Sequence, residues 1–183
     1  MRHIPNIISV IRILLVLPIA LALGHQLLAL AIMLFAFAAI SDLADGFLAK
    51  RFGWQSELGA ALDPIADKLL LATVFIILSF MKLVPLWLMV AAVARDVIIV
   101  SGAAAYRLLV GPLTAHPSFI SKINTLCQAA YILAVVGHAK FLMPPEWAIT
   151  WLGALVFATV AISGIDYVLV YGRRAATART AAT

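Results

Sequence analysis

Six apolar stretches, each close to the length of one bilayer crossing, limit what this chain can fold into: Ile4–Leu23, Leu27–Ala49, Ala60–Met81, Leu86–Leu109, Ser121–Leu142 and Ala148–Tyr171. A helix needs about 20 mostly apolar residues to cross the hydrocarbon core, and a backbone in lipid must satisfy its own hydrogen bonds. With 65% hydrophobic and 11% charged residues, an ordinary water-soluble domain does not fit. The expectation is an all-α integral membrane bundle of six transmembrane helices, one domain over residues 1–183. The first stretch has a signal-peptide look, but Arg12 interrupts it and no soluble domain follows, which favours a retained helix.

Charge sets the orientation. Among loop and tail cations, Arg2, Lys50, Arg51, Arg107, Arg173, Arg174 and Arg179 fall on one side and only Lys82 and Lys140 on the other. The positive-inside rule then places both termini, and the loop after the second helix, in the cytoplasm. No basic cluster interleaved with aromatics appears, so nucleic acid is not an expected partner. Cys127 is the one cysteine and can form no intrachain disulfide; helix packing is its expected role.

Against this apolar background stand four carboxylates, Asp42, Asp45, Asp63 and Asp67. Charges inside a bilayer are costly unless something binds them. Asp42 and Asp45 are three apart and Asp63 and Asp67 four apart, so on two helices each pair shares a face. The short polar segment Lys50 to Leu58 between them suits a hairpin whose acidic faces meet. An oxygen-only donor set without His or Cys suits Mg²⁺ or Mn²⁺ rather than zinc. Gly46, Ala49, Gly59 and Ala60 keep the surroundings small, with room for a phosphate. Lys50 lies five residues, or about 7 Å of helix rise, beyond Asp45, which sinks the site just below the cytoplasmic interface.

The order Asp42-x2-Asp45-Gly46-x2-Ala49-Lys50-x8-Gly59-x3-Asp63-x3-Asp67 resembles the signature of the CDP-alcohol phosphatidyltransferases, integral membrane enzymes that join a CDP-linked group to an alcohol and release CMP. Lys50 stands where that family usually has Arg, with Arg51 following. The likeness extends to Ile4-Pro5-Asn6 with Arg12, and to Ala94-Arg95-Asp96. Phe119-Ile120-Ser121-Lys122-Ile123-Asn124-Thr125 with Gln128 looks like the corresponding segment of CMP-forming cardiolipin synthases, where phosphatidylglycerophosphate synthases tend to carry Gly-Lys-x-Lys-Thr. Asn124 in place of a lysine removes one positive charge from the acceptor pocket. That favours the singly charged diester of phosphatidylglycerol over the monoester of glycerol 3-phosphate.

The resemblance implies that Asp42, Asp45, Asp63 and Asp67 hold divalent ions, two being expected, and that these grip the diphosphate of CDP-diacylglycerol. Asp67 is then the base for the acceptor hydroxyl. Gly46, Ala49 and Gly59, with Asn6 and Lys50, are the expected CDP contacts, and Arg95, Lys122 and Asn124 the acceptor contacts. A homodimer in a bacterial inner membrane, surrounded by lipid, is the expected setting.

Other readings stand beside these. The acids could form an ion-pair network or the cation site of a small ion-coupled transporter, although no inverted repeat is seen. Asp96 could merely steady Arg95 or a neighbouring helix, and Lys122 could snorkel to the interface. Lys68, one residue round from Asp67, is expected to turn away and snorkel too. Asp166 could pair with Arg173 or Arg174. The four histidines lack metal-ligand spacing, the tryptophans suit interfacial anchoring, and Ser101 to Ala105 suits close helix contact.

Overall fold

A computed structural model describes residues 4–52, 57–109 and 119–180, with side chains described over 10–41, 66–102 and 119–167. Six helices account for nearly all of it: α1 (Ile4–Gly24), α2 (Leu28–Phe52), α3 (Glu57–Phe80), α4 (Leu86–Leu109), α5 (Phe119–Phe141) and α6 (Glu146–Thr180). No strand occurs among the described residues. The ends fall within a few residues of the apolar stretches, except that α6 runs on to Thr180. Its tail is rich in Ala and Arg, strong helix formers that an apolarity count does not register.

Three helical hairpins result, α1/α2, α3/α4 and α5/α6, and their turns are built alike. Gln26, Lys82 and Leu142 take positive φ, at 58°, 61° and 58°, just past the helix ends. At the first turn the Gln26 N–H donates to the Leu23 carbonyl (2.9 Å) and the Leu27 N–H to the Ala22 carbonyl (2.8 Å). The second repeats this pattern, with Lys82 to Ser79 (3.0 Å) and Leu83 to Leu78 (2.9 Å). Both are Schellman closures of the last helical carbonyls. The third uses the single bond from the Leu142 N–H to the His138 carbonyl, 2.9 Å. Pro85 and Pro145 stand immediately before α4 and α6, where a missing N–H costs nothing, and their carbonyls accept the first helical bonds.

The hairpins interlock. Helix α1 packs against both α2 and α3, α5 against α2 and α3, and α6 against α4 and α5. Among the described residues α2 and α3 pack on these neighbours and not on each other. Phe75 and Tyr131 stack at 6.1 Å between α3 and α5, and Trp87 meets Phe157 edge-on at 5.3 Å between α4 and α6. Within the Ser101–Ala105 stretch, Gly102 is a point of close helix contact. A Cβ on Gly102 of α4 would lie 3.0 Å from the Tyr167 ring of α6, and the Tyr167 hydroxyl donates to the Ile99 carbonyl at 2.8 Å.

Two helical segments, Phe119–Phe141 and Glu146–Tyr167, are long and apolar enough to cross a membrane. The outer surface is apolar well beyond these two. Leu14, Met33, Phe37, Val97, Leu126 and Trp151, drawn from five of the six helices, are each more than half exposed. A water-soluble monomer rarely shows so continuous an apolar exterior.

Candidate functional site

The helices set a line of charged and polar side chains inside this apolar frame. It starts at Asp67 on α3. Arg12, eight residues into α1, donates from Nη1 to Asp67 Oδ1, and Arg12 is only 2% exposed. Rises of about 12 Å along α1 and about 15 Å along α3 bring the two to matching depth. The sequence reading assigned Arg12 no partner, yet a lone arginine within an apolar run is itself a sign that an acid lies opposite. So one of the four acids does have a cation.

Lys68 is the next residue on α3, turned about 100° from Asp67. It does not snorkel. That turn points it at α4, where its ammonium donates to Asp96 Oδ1 at 2.9 Å. Arg95 Nη1 donates to the same oxygen at 2.6 Å. One carboxylate therefore joins the helix carrying Asp67 to the buried Arg95, and Asp96 steadies both its neighbour and the facing helix.

Arg95 is 5% exposed and is held from two further helices: Nη2 donates to Ser121 Oγ on α5 at 2.9 Å and to Ser163 Oγ on α6. The serines repeat lower down as an amide and a threonine, because Asn124 and Thr159 lie one turn further along each helix. Thr159 Oγ1 donates to Asn124 Oδ1 at 3.0 Å and also to the Val156 carbonyl at 3.0 Å. Gln128 follows one turn below Asn124. Asn124 is 0% and Gln128 2% exposed, and Asn124 Nδ2, Gln128 Nε2 and Arg95 Nε have no hydrogen-bond partner among the described residues. Such orphaned donors cost about 1–3 kcal/mol each, so a built use for them is expected.

The site residues read from sequence are thus placed unequally. Arg95 and Asn124 are buried in this line and Asp67 is partly exposed at its start, while Lys122 on α5 is exposed. The side chains of Asn6, Asp42, Asp45, Gly46, Ala49, Lys50, Gly59 and Asp63 lie outside the described residues; the backbone carrying them is helical. Helical backbone at these positions keeps Asp42 with Asp45 on one face of α2 and Asp63 with Asp67 on one face of α3. Of these four acids Asp67 alone has a described side chain, and among the described residues no group of three or more possible metal ligands gathers. Of the remaining expectations, Trp87, Trp147 and Trp151 are exposed, His138 Nδ1 lies 2.7 Å from the Pro144 carbonyl oxygen, and Cys127 is a half-buried free thiol. The side chains of Arg173 and Arg174, expected near Asp166, lie outside the described residues.

Comparison with known proteins gives this geometry a context. The sequence model of the CDP-alcohol phosphatidyltransferases matches residues 2–163. A cardiolipin synthase (CMP-forming) of Rattus norvegicus is 33% identical over 191 aligned residues, covering 93% of this chain and 62% of that protein. A probable phosphatidylglycerophosphate synthase of Mycobacterium tuberculosis H37Rv is 34% identical over 178, covering 91% and 80%. A cardiolipin synthase (CMP-forming) of Streptomyces coelicolor is 34% identical over 134, covering 69% and 59%. The chain thus spans less than two thirds of the length of these cardiolipin synthases. With a match across most of the chain and the acid signature on α2 and α3, the protein belongs to the CDP-alcohol phosphatidyltransferase family.

Proposed function

We propose that the chain transfers the phosphatidyl group of CDP-diacylglycerol to phosphatidylglycerol, forming cardiolipin and releasing CMP. The observation that carries this reading is the part-buried connection from Lys68, the residue next to Asp67 on α3, through Asp96 to Arg95. It ties the acid helix to a cation suited to an acceptor phosphodiester, and it lies within helices whose outer faces suit lipid. In this reading all six helices cross the membrane, both termini are cytoplasmic, and the protein works as a homodimer in a bacterial inner membrane.

Asp42, Asp45, Asp63 and Asp67 would hold Mg²⁺ or Mn²⁺, which when bound neutralises charge on the diphosphate and the departing CMP. The chain's own groups do the rest. Gly46, Ala49 and Gly59 admit the nucleotide close to the backbone, with Asn6 and Lys50 beside it. Arg95 and Lys122 hold the acceptor's phosphodiester, with Asn124 below. The acceptor hydroxyl oxygen forms the new bond to phosphorus as the bond from phosphorus to the CMP oxygen breaks, and Asp67 takes the hydroxyl proton. Arg12 keeps the Asp67 carboxylate aimed during that transfer.

A second reading, phosphatidylglycerophosphate synthesis from glycerol 3-phosphate, is favoured by the M. tuberculosis relative, of which this chain covers 80%. One assay separates them. Purified protein is given labelled CDP-diacylglycerol with either acceptor, with and without Mg²⁺ or Mn²⁺, and products are resolved by thin-layer chromatography. Metal-dependent cardiolipin is expected. Phosphatidylglycerophosphate as sole product would replace the first reading with the second, and absence of CMP release with either acceptor would remove both.

A further inference from the structure

The unpartnered donors between α4, α5 and α6 form an ordered series. Arg95 meets Ser121 at the start of α5, Asn124 lies three residues on, and Gln128 four beyond that, all toward one face and within about 10 Å of helix rise. Arg95 Nε, Asn124 Nδ2 and Gln128 Nε2 are left over, and all three are donors. A ligand that satisfies them presents oxygens in a row, with negative charge at the Arg95 end and neutral oxygens further in. Beyond Gln128 the face becomes apolar, with Tyr131 stacked on Phe75.

Charged oxygen first, neutral carbonyls next and hydrocarbon last is the order of groups in a diacyl phospholipid, from the interface inward. It is also the order met along α5 from its proposed cytoplasmic end. Glycerol 3-phosphate carries two hydroxyls beyond its phosphate but neither ester carbonyls nor hydrocarbon chains. We propose that Asn124 and Gln128 donate to the glycerol ester carbonyl oxygens of a diacylated acceptor whose phosphodiester is held by Arg95. This rests on the reading that the acceptor is a phospholipid, and it adds Gln128 to the acceptor site. Both amides are buried, so entry of the ester requires α5 and α6 to part there; the side chains opposite, Thr159 and Ser163, are small.

Ether-linked phosphatidylglycerol is the discriminating probe, because it keeps the headgroup and chains and lacks the carbonyls. With the full-length wild-type protein in detergent micelles, KM for the ether lipid is expected to be about tenfold above that for the ester lipid, the combined worth of two net hydrogen bonds at about threefold each. Gln128→Leu is expected to raise KM for the ester lipid about threefold and leave that for the ether lipid in place, so the ratio falls to about three. KM for CDP-diacylglycerol stays constant. The unfolding midpoint is not expected to fall, since the amide removed has no partner. Asn124→Leu should behave likewise, because the Thr159 hydroxyl keeps its bond to the Val156 carbonyl.

Equal KM values for the two lipids in the wild type overturn the proposal, and this comparison decides the matter even if a variant fails to fold. So does a folded variant that raises both values together, which marks a packing role. A wild-type protein that uses glycerol 3-phosphate and no phospholipid removes the underlying reading instead, and the carbonyl assignment with it.

Discussion

Arg12 and Asp67, 55 residues apart in sequence, meet as an ion pair between α1 and α3, with the arginine buried and the carboxylate about one quarter exposed. The pair offsets one charge of the acid set and fixes the direction of the carboxylate proposed as base. Removing the cation alone leaves Asp67 in a poorly solvated place without its counter-charge. Arg12→Gln is expected to lower stability by about 3 kcal/mol, the low end for a broken buried pair because Asp67 keeps some solvent. Adding Asp67→Asn should recover much of that loss, giving a coupling of about 1 kcal/mol or more. Denaturant unfolding of the detergent-solubilised single and double variants measures it.

Asp67→Asn on its own keeps an oxygen that can accept from Arg12, so the α1–α3 contact survives. What it loses is the negative charge and the ability to take a proton. A fall in kcat of roughly 10²–10⁴ is expected, with a smaller rise in KM for CDP-diacylglycerol because three carboxylates of the proposed metal set remain. Steady-state CMP release at varied CDP-diacylglycerol gives both constants. Near wild-type kcat would move the base role to another group.

Asp96 takes hydrogen bonds from Lys68 and Arg95 on one oxygen, at 2.9 and 2.6 Å. Asp96→Asn leaves two cations facing a neutral amide, whereas Lys68→Met leaves Arg95 its carboxylate. The first should therefore cost more, about 2 kcal/mol after allowance for partial exposure, and raise acceptor KM several-fold as Arg95 loses its aim. Lys68→Met should fall between Asp96→Asn and wild type in both respects. Thermal unfolding together with acceptor titrations tests the order; equal effects would mean that Asp96 serves Lys68 alone.

The number and type of helices were legible because each apolar stretch has the length of a helix crossing lipid. The hairpin turns were harder to read. Gln26, Lys82 and Leu142 occupy left-handed positions where glycine is the usual signal, so the turning residue itself went unmarked although Gly24, Pro85 and Pro145 lie nearby. The partners of the site residues were less legible still. Arg12 could be read as a charge needing an acid, but sequence separation does not say which one. Lys68 reads as turned away from Asp67 and able to snorkel; that it meets Asp96 instead could not be read, because which helix lies on that side of α3 belongs to tertiary packing. Gln128 looked like part of a motif, and only the structure shows its burial near Asn124 with an unpartnered amide nitrogen.

Gly102 tests the α4–α6 contact. A methyl there would lie 3.0 Å from the Tyr167 ring, and that ring is tethered through its hydroxyl to the Ile99 carbonyl on the same helix as the glycine. The ring can yield only by giving up that bond. Gly102→Val is expected to destabilise by about 1–3 kcal/mol, the usual range for forcing bulk into a packed contact. Gly102→Val with Tyr167→Ala should recover part of the loss, by comparison of unfolding midpoints.

Asn124→Lys shows how burial changes an argument made from charge alone. Counting charges, a lysine at this position adds a cation to the acceptor pocket and should turn preference toward glycerol 3-phosphate. The side chain at 124, however, is 0% exposed, faces Thr159, and lies one turn from the Ser121 that accepts from Arg95. A lysine there buries an ammonium without an acid and sets it near a second cation. A destabilisation of several kcal/mol is therefore expected, with no gain in use of glycerol 3-phosphate. Asn124→Leu, which adds no charge, should stay folded. Unfolding midpoints of both variants, read with acceptor competition assays, separate the two arguments: a stable Asn124→Lys protein that prefers glycerol 3-phosphate would mean that the ammonium reaches the headgroup site and that charge, not amide donation, sets the choice of acceptor.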